Sequence, residues 1–483
     1  MNSQETLGFI EVVPKKTVET HLYEDVLAVH PRPGKGQAVG REQNQRQITI
    51  EEVEAADTAK KPWVAIRGKV YDLTTFVGKH PGGKDFLLAT IGRDATMVYE
   101  SMHSDKNTAV LNKYKIGTLF KTNMPQYVKK SEFKKELEKR VYAYFTSIGK
   151  DPKDAPWMLL TYGILVVTFA VTYYGMFSRV AQYSVILPWA AAVVNGWSAA
   201  MMGFYILHDF CHSSFTRRPW VWQAGRRVYE SITGLISLAW FYQHVVGHHT
   251  FTNVIGVDPD IMVFDPGPFG VHHELPWRGY YILQQYYWFI AYSQFISSRK
   301  LLEWKQVFYD RRYIHVKINP VQMSEYFWGA ATLYYTHHYV LPFTYFHHSI
   351  LRILALHTVS DVICSIYLAL ITQLSHVNSK VEWPEVDSEY KINEDWAVLQ
   401  IEASLDYGHG EFWPTWLSGS LNYQAVHHMF PHASQYYYPE IAGIVKDTCK
   451  EYGVRYNMIG STWETVRVHM QHLRLFGEKP GLR

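Results

Sequence analysis

A run of six residues, His244-Val245-Val246-Gly247-His248-His249, carries three imidazole side chains. On an α-helix, His244 and His248 share one face, and His249 lies about 100° further round. Three neutral imidazole nitrogens at this spacing predict ligands for one or two metal ions. A single cluster is weak support, because three neighbouring histidines also occur in ordinary histidine-rich loops. The prediction therefore depends on partner groups elsewhere in the chain.

Partner groups are present at three other places. Two histidines stand at i and i+4 in the run 208–212, two are adjacent in the run 424–428, and His376 ends an apolar stretch. Eight imidazoles are too many for one metal ion and suit two, of the iron, zinc or copper type. The predicted site residues are His208, His212, His244, His248, His249, His376, Gln424, His427 and His428.

Two pairs of apolar segments must position these clusters. Each segment has close to the length, about twenty residues, that a helix needs to cross a bilayer. The predicted spans are Trp157–Phe177, Ser184–Leu207, Tyr326–Phe346 and Ile350–Leu374. Basic residues lie mainly outside the short connection within each pair of segments. Because loops rich in basic residues stay in the cytosol, the histidine clusters beside them are predicted to face the cytosol. The segments Val228–Tyr242 and Tyr280–Ser297 are predicted to lie in the membrane interface, because crossings there would put His208 and His244 on opposite sides.

The composition limits the class of protein. The 47 Lys and Arg residues nearly balance the 44 Asp and Glu residues, for a formal net charge of +3, which argues against a nucleic-acid-binding protein. The aromatic content of 16% suits an extensive membrane–water interface. Three separated cysteines without a CxxC motif predict a reducing, cytosol-facing environment, and the N-terminus has no signal-peptide pattern.

A second metal-binding pattern lies in the first quarter of the chain. It combines alternating strands around Gly68, the run His80-Pro81-Gly82-Gly83 and, further on, His103. This pattern resembles a cytochrome b5 domain over residues 46–120. The resemblance implies that His80 and His103 are the two axial ligands of a haem b. Because both axial positions are then filled, such a haem passes electrons and does not bind oxygen.

The three histidine motifs, HDxxH at 208–212, HxxxHH at 244–249 and QxxHH at 424–428, resemble those of the cytochrome b5-fused front-end desaturases in the membrane fatty acid desaturase family. The resemblance implies two non-haem iron ions that use O2 to insert a cis double bond between an existing double bond and the carboxyl end of a polyunsaturated acyl chain. It also implies electrons from the fused haem, an NADH-cytochrome b5 reductase as partner, and a multi-pass protein of the endoplasmic reticulum.

Individual positions refine the resemblance. Gln424 is typical of front-end members, and His376 matches a ligand of the related stearoyl-CoA desaturases, whose asparagine ligand corresponds to Thr372 here. Four side chains near the motifs are candidates for orienting the imidazoles: Asp209, Asn253, Asp258 and Asp260. The histidine pairs 272–273, 337–338 and 347–348 match no family motif, and we predict no metal role for them.

Four parts are predicted from these patterns: a flexible leader at 1–45, the haem domain at 46–120, a charged and partly helical linker at 121–156, and a membrane desaturase domain at 157–483. The predicted fold class is multi-domain. An α+β cytochrome b5-like domain precedes an all-α membrane body with four transmembrane helices plus interfacial helices.

Several functions share this pattern. A sphingolipid long-chain-base desaturase has the same haem fusion and QxxHH motif, and a hydroxylase or acetylenase would use the same oxidant. A membrane-anchored b5 electron-transfer protein is an alternative of another class, although an anchor needs one span only. The run Gln243–His249, with Asn253 and Asp258-Pro259-Asp260, resembles Δ5 members more than Δ6 or Δ4 members. The acyl carrier, CoA or phospholipid, stays open.

Overall fold

A computed structural model of the chain describes residues 46–58, 61–103, 108–261, 267–313, 316–317 and 327–480. The predicted leader, residues 1–45, and the first residue of the third predicted span lie outside these ranges. A five-stranded sheet occupies residues 47–119, and helices make up most of the remaining described residues.

The sheet is built from strands with alternating side chains. In spatial order the strands are Gln47–Ile48, Lys115–Leu119, Lys69–Asp72, Lys61–Ile66 and Asp57–Thr58. Trp63 and Ala65 lie in one buried cluster and Val64 lies in another, which is the two-residue period of a strand. Arg67 and Gly68 have φ values of 52° and 68°, and two positive φ angles in succession close a tight hairpin.

Short helices surround His80 and His103. They are Ile50–Ala55, Lys84–Thr90, Thr96–Met102 and Thr108–Leu111, with 3-10 turns at Val77–Lys79 and Asn112–Tyr114. His80 ends one of these 3-10 turns, and His103 is the C-cap residue of Thr96–Met102. Both histidines therefore occupy helix ends, where the chain changes direction.

The charged segment 121–156 packs against the rest of the chain. Its strand Gln126–Lys129 pairs in parallel with Lys391–Asp395. Its predicted helix is present as Phe133–Ser147, and Arg140 on that helix binds Glu451 at 2.7 Å. The helix buries one stripe at i, i+4 spacing, made of Phe133, Leu137, Val141 and Phe145.

Three helices among the described residues are long and apolar enough to cross a membrane: Met158–Phe177, Leu187–Cys211 and Ile350–Leu374. They correspond to the first, second and fourth predicted spans. The prediction of four spans is not confirmed, because residues 327–344, the helical part of the third, are not among these helices. They form a succession of short α- and π-helical segments. Two histidines and three threonines in residues 327–344 make this segment less apolar.

The second and third of these long helices approach each other closely. A Cβ atom on Gly196 would collide with the carbonyl oxygen of Ser360, so only glycine permits this approach. Asn195 donates Nδ2 to the carbonyl of Phe169 at 3.0 Å and accepts a hydrogen bond from Oγ of Ser360 at 3.1 Å. These bonds join all three helices where lipid offers no competing partner.

The rest of the body is mostly helical, but the prediction that it is all-α was wrong. Strand Leu405–Tyr407 pairs in parallel with Asn457–Ile459, and Arg312–Tyr313 pairs with Val316–Lys317. The buried strand 405–407 needs partners for its backbone groups, and the pairing supplies them. The other α-helices are Arg179–Gln182, Pro219–Thr233, Ser237–Trp240, Gln284–Ser293, Phe295–Trp304, Trp396–Glu402, Phe412–Ser418, Gln424–Met429, Tyr438–Tyr452 and Thr462–Gly477.

Candidate metal centre

The first histidine pair lies at the end of the second long helix. A π-helical stretch, Gly203–Leu207, precedes the α-helical turn His208–Cys211. The rings of His208 and His212 have centroids 4.7 Å apart, and both side chains are buried. The i, i+4 spacing therefore places both rings on one face, as predicted.

The second group lies in a π-helical stretch, Phe241–His248, rather than in an α-helix. The amide of His249 donates to the carbonyl of His244 at 2.9 Å, which is the i, i+5 bond of a π-turn. This winding returns His249 to the side of His244, and their Nε2 atoms are 3.2 Å apart. The prediction that His249 lies about 100° beyond the face shared by His244 and His248 was wrong, because it assumed an α-helix.

The third group and His376 come from separate elements. The pair 427–428 lies on the helix Gln424–Met429, and the buried Asp406 accepts a backbone amide hydrogen bond from its first turn at 2.8 Å. His376 follows the third long helix, and its ring centroid is 4.9 Å from that of His428. Residues from four distant segments thus meet in one place.

The eight imidazoles form groups whose donor nitrogens lie within 4.8 Å of one another. One group contains His208, His212, His244 and His427. A second contains His248, His376 and His428. A third group joins these two and contains His249, His427 and His428. The eight predicted histidines therefore lie in one cluster, with donor sets for two adjacent metal ions; we call it the histidine cluster.

The hydrogen bonds of His376 and His428 leave their Nε2 lone pairs facing each other. Nδ1 of His376 donates to the carbonyl of Ala403 at 3.1 Å, and Nδ1 of His428 donates to Oε1 of Gln400 at 2.8 Å. Both Nε2 atoms are then acceptors, although they are 3.2 Å apart. A cation between them would relieve the repulsion, and two metal–nitrogen bonds of about 2 Å span such a gap. The donor set therefore fits a metal ion.

Buried nitrogens without partners support the same fit. Nδ1 of His208, Nδ1 of His249 and both ring nitrogens of His212 have no hydrogen-bond partner among the described residues. Burial, reinforced by the neighbouring imidazoles, lowers the pKa of His212 and His249 well below the usual range, so both rings are neutral. Neutral nitrogens buried without a partner cost free energy, and metal coordination would offset this cost.

Two carboxylates lie behind the second histidine group. Asp258 accepts a hydrogen bond from Nδ1 of His248 at 2.8 Å, and Asp260 lies 3.5 Å from Nδ1 of His244. Burial opposes protonation of His248, but the charges of Asp258 and Asp260 raise its pKa to about 9. A metal ion bound to this ring would supply the positive charge in place of the proton, and the same two carboxylates would stabilise it. These two predicted orienting residues do contact the rings.

We expect Asp258→Asn to weaken iron binding by about 10- to 100-fold, because Asp258 fixes the His248 ring and makes it more basic. Asp258 is fully buried and also accepts the backbone amides of Asn253 and Asp260, both at 2.8 Å. The measurement is iron retained per chain during titration with a chelator. The control is Asp151→Asn, which removes the ion pair with Arg217, outside the histidine cluster. Unchanged retention in Asp258→Asn would contradict the orienting role.

The other two predicted orienting residues act differently. Asn253, with φ of 59°, donates Nδ2 to the backbone carbonyl of His376 at 3.1 Å, so it holds the main chain and not the ring. Asp209 accepts a hydrogen bond from the hydroxyl of Tyr162. Its carboxylate is 3.9 Å from Nδ1 of His208, which is too long for a hydrogen bond.

Gln424 lies against His376. Its amide nitrogen is 2.8 Å from Nε2 of that ring, and rotation of the amide would put the oxygen there as a further donor atom. Thr372, at the family's asparagine position, instead binds the backbone carbonyls of Leu368 and Ala369 within its own helix. The amide beside His376 is therefore that of Gln424, which comes from the third motif.

Sequence reasoning missed three side chains that contact the imidazoles: Gln400, Tyr438 and Trp240. The hydroxyl of Tyr438 is 3.2 Å from Nδ1 of His427, and Trp240 stacks on His244 with ring centroids 4.3 Å apart. Gln400 and Tyr438 lie outside the motifs and carry no spacing signal. Trp240 stands four residues before His244, and this i, i+4 spacing is the signal that would have found it.

His80 and His103 form a separate site in the haem domain. Their ring centroids are 6.0 Å apart. Nδ1 of His80 donates to the carbonyl of Gly83 at 3.1 Å, and Nδ1 of His103 donates to that of Tyr99 at 3.2 Å. Burial lowers the pKa of both rings, which are therefore neutral with their Nε2 lone pairs available. This separation fits one iron with nitrogen bonds of about 2 Å on both sides.

Three further histidines bind backbone carbonyls or a hydroxyl group. Nε2 of His337 is 2.7 Å from the carbonyl of Ser231, and Nε2 of His348 is 2.8 Å from that of Phe177. These bonds tie helices of the body together. His432, four residues after His428, lies 3.0 Å from the hydroxyl of Tyr142 and outside the donor groups described above.

Comparison with known proteins agrees with these two sites. The sequence model of the fatty acid desaturase family matches residues 184–460, and that of the cytochrome b5-like heme/steroid binding domain matches residues 49–120. Among solved structures, the cytochrome b5 of Ostreococcus tauri virus 2 is 31% identical, with a TM-score of 0.15, and the match covers 15% of this chain and 95% of that one.

Curated relatives extend over most of the chain. The acyl-lipid (8-3)-desaturase of Mortierella alpina is 34% identical over 90% of this chain and 98% of that protein. The Delta(5) fatty acid desaturase A of Dictyostelium discoideum is 32% identical over 90% of this chain and 95% of that protein. The sn-1 linoleoyl-lipid 6-desaturase of Arthrospira platensis is 28% identical over 69% of this chain and 90% of that protein. The chain therefore belongs to the fatty acid desaturase family, with a cytochrome b5-like domain fused ahead of its desaturase domain.

Proposed function

We propose that the protein is a front-end acyl-lipid desaturase that inserts a cis double bond between an existing double bond and the carboxyl end of a polyunsaturated acyl chain. The observation that carries this proposal is the buried histidine cluster, in one chain with long apolar helices and a haem domain. The name of one relative, the Delta(5) fatty acid desaturase A of Dictyostelium discoideum at 32% identity, favours the Δ5 position over Δ6 or Δ4.

The histidine cluster would hold two non-haem iron ions. His208, His212, His244 and His427 would bind one, and His248, His376 and His428 the other, with His249 between them. Bound iron supplies, with O2, the oxidant that an unactivated C–H bond requires and that side chains lack. The chain's own contribution is to keep imidazoles such as His212 and His249 neutral, to exclude water by burial, and to fix the rings of His248 and His428 through Asp258 and Gln400.

A haem b between His80 and His103 would supply the electrons. Its two axial ligands leave no position for oxygen, so its task is transfer of one electron at a time. An NADH-cytochrome b5 reductase would reduce it. Fusion to the desaturase domain replaces a diffusional encounter by a high effective concentration.

The protein would be a multi-pass protein of the endoplasmic reticulum membrane, with the haem domain and the histidine cluster facing the cytosol. Phe86 of the haem domain contacts Phe241, three residues before His244, so both sites lie on the same side of the bilayer. Cys211, Cys364 and Cys449 are free thiols, which suits a reducing compartment. The acyl substrate, on CoA or a phospholipid, and O2 are its small-molecule partners.

Expression in yeast fed eighteen- and twenty-carbon polyunsaturated acids tests the proposed function. We expect one new fatty acid, with an added double bond on the carboxyl side of the existing ones and at Δ5. Gas chromatography of the methyl esters, with mass spectrometry of a derivative that marks double-bond position, measures it. A Δ6 or Δ4 product would overturn the regiochemistry alone. Absence of any new double bond, with the haem spectrum intact, would overturn the desaturase proposal.

A sphingolipid long-chain-base desaturase is the second candidate, since the haem fusion and the motif at 424–428 suit it equally. The same yeast cells decide between the two, because that activity would place the new double bond in the long-chain bases and leave the fatty acids unchanged. A b5 protein that is merely anchored to the membrane is excluded by the desaturase family match over residues 184–460.

A further inference from the structure

The haem domain packs against the body beside the second histidine group. Phe86 lies on the helix Lys84–Thr90, which begins directly after the haem motif, and its ring centroid is 4.8 Å from that of Phe241. Trp222 also contacts the Phe86 ring, with ring centroids 5.8 Å apart. Phe241 and Trp222 are only 2% and 3% exposed, so this contact is a dry, close-packed one.

Further contacts hold this packing in one arrangement. The guanidinium of Arg226 lies 5.5 Å from the centre of the Phe86 ring, and that of Arg93 lies 5.3 Å from the Tyr242 ring. A Cβ on Gly83, within the haem motif, would be 3.1 Å from Pro219, so the motif itself approaches the body. The haem pocket thus lies next to the segment that leads into the histidine cluster.

Trp240 precedes Phe241 in the chain and lies against the histidine cluster. Its indole stacks on the His244 ring with an interplanar angle of 26° and a centroid distance of 4.3 Å. It also contacts His208 and His212, both at 6.0 Å. Covalent continuity from Phe241 to Trp240 therefore links the contact with the haem domain to three of the imidazoles.

We propose that Phe86, Phe241 and Trp240 form the path by which an electron passes from the haem domain to the histidine cluster, with His244 as its end point. The inference rests on the proposed function, because it requires a haem between His80 and His103 and iron in the cluster. Electron tunnelling slows steeply with each through-space gap. From Phe86 onwards this path has one such gap at the domain contact, between Phe86 and Phe241, and one at the stacked rings of Trp240 and His244.

The transfer is a one-electron step without bond changes. The ferrous haem loses one electron and becomes ferric, and the iron in the cluster gains that electron. The NADH-dependent reductase then reduces the haem again. Two such transfers, with O2, two protons and the two hydrogens removed from the acyl chain, give one double bond and two water molecules, so the overall reaction balances.

A packing role for Trp240 is the competing explanation, since a large ring against His244 also fixes that ligand. Trp222 provides the matched control. It is an equally large indole in contact with Phe86, but it does not lie between Phe86 and His244. Phe86→Leu provides a change in the haem domain, away from the histidine cluster.

The test uses the full-length enzyme, loaded with haem and iron, in lipid nanodiscs. The haem is reduced anaerobically with NADH and reductase, then mixed with O2 and acyl substrate while its absorbance reports re-oxidation. We expect Trp240→Leu and Phe86→Leu to slow this re-oxidation about tenfold or more, and Trp240→Phe and Trp222→Leu to stay within about threefold of the unchanged protein. Reduction of the haem by the reductase should be equally fast in all variants.

Each outcome decides the matter. Re-oxidation at the original rate in Phe86→Leu and Trp240→Leu would overturn the path, and so would equal slowing in Trp222→Leu. If Trp240→Leu binds less iron, its slow re-oxidation has a second cause. The path is then judged from the re-oxidation rates of Phe86→Leu and Trp222→Leu alone. Failure of the proposed function looks different, because then the haem of the unchanged protein would not be re-oxidised faster when substrate is present.

Discussion

His428→Ala should reduce desaturation by more than about a hundredfold and leave the protein with less bound iron. Nε2 of His428 lies 3.2 Å from that of His376, and the ring belongs to two of the three donor groups. Its removal leaves only His248 and His376 in the second group. The measurements are the yield of the unsaturated product in the fed yeast and the iron content of the purified protein.

His432→Ala is the matched control for this variant. His432 is half-buried and stands four residues further on, but its contact is the hydroxyl of Tyr142 at 3.0 Å. We expect this variant to keep its iron and most of its activity. Full activity in His428→Ala, or equal loss of iron in both variants, would mean that the cluster does not hold the metal as assigned.

His80→Ala should remove the haem absorbance and reduce desaturation by about a hundredfold or more, because the fused donor is lost and only separate carriers remain. The body should keep its fold, since its buried core is built from residues after 132, apart from Ala89 and Val98 of the haem domain. Haem absorbance, product yield, iron content and the thermal unfolding of the membrane body are the four measurements.

Lys79→Ala, at the exposed neighbouring position, is the control and should behave as the unchanged protein. If His80→Ala loses its haem but retains full desaturation, the fused haem is not the required electron donor. If it loses iron as well, the haem domain also stabilises the histidine cluster, and the loss of activity then has a second cause.

Much of the fold is local and was predictable. Strand alternation around Gly68 predicts the hairpin of the haem domain, and largely apolar stretches predict the three long helices. The third predicted span was different, because the histidines and threonines of residues 327–344 leave that helical segment less apolar than the three long helices. Strand pairs such as 405–407 with 457–459 join segments about fifty residues apart, and no local pattern marks them.

For the histidine cluster too, the sequence and the tertiary structure determined different features. The sequence by itself determined which eight imidazoles are candidates, because residue type and short spacing are local properties, and it indicated Asp258 and Asp260 as their neighbours. Tertiary structure decided how the imidazoles group, since a π-turn at Phe241–His248 brings His249 beside His244. It also decided the contacts of Gln400, Tyr438 and Trp240 with the rings, and the packing of Phe86 on Phe241. These depend on the distances between segments far apart in the chain, which only the packed core determines.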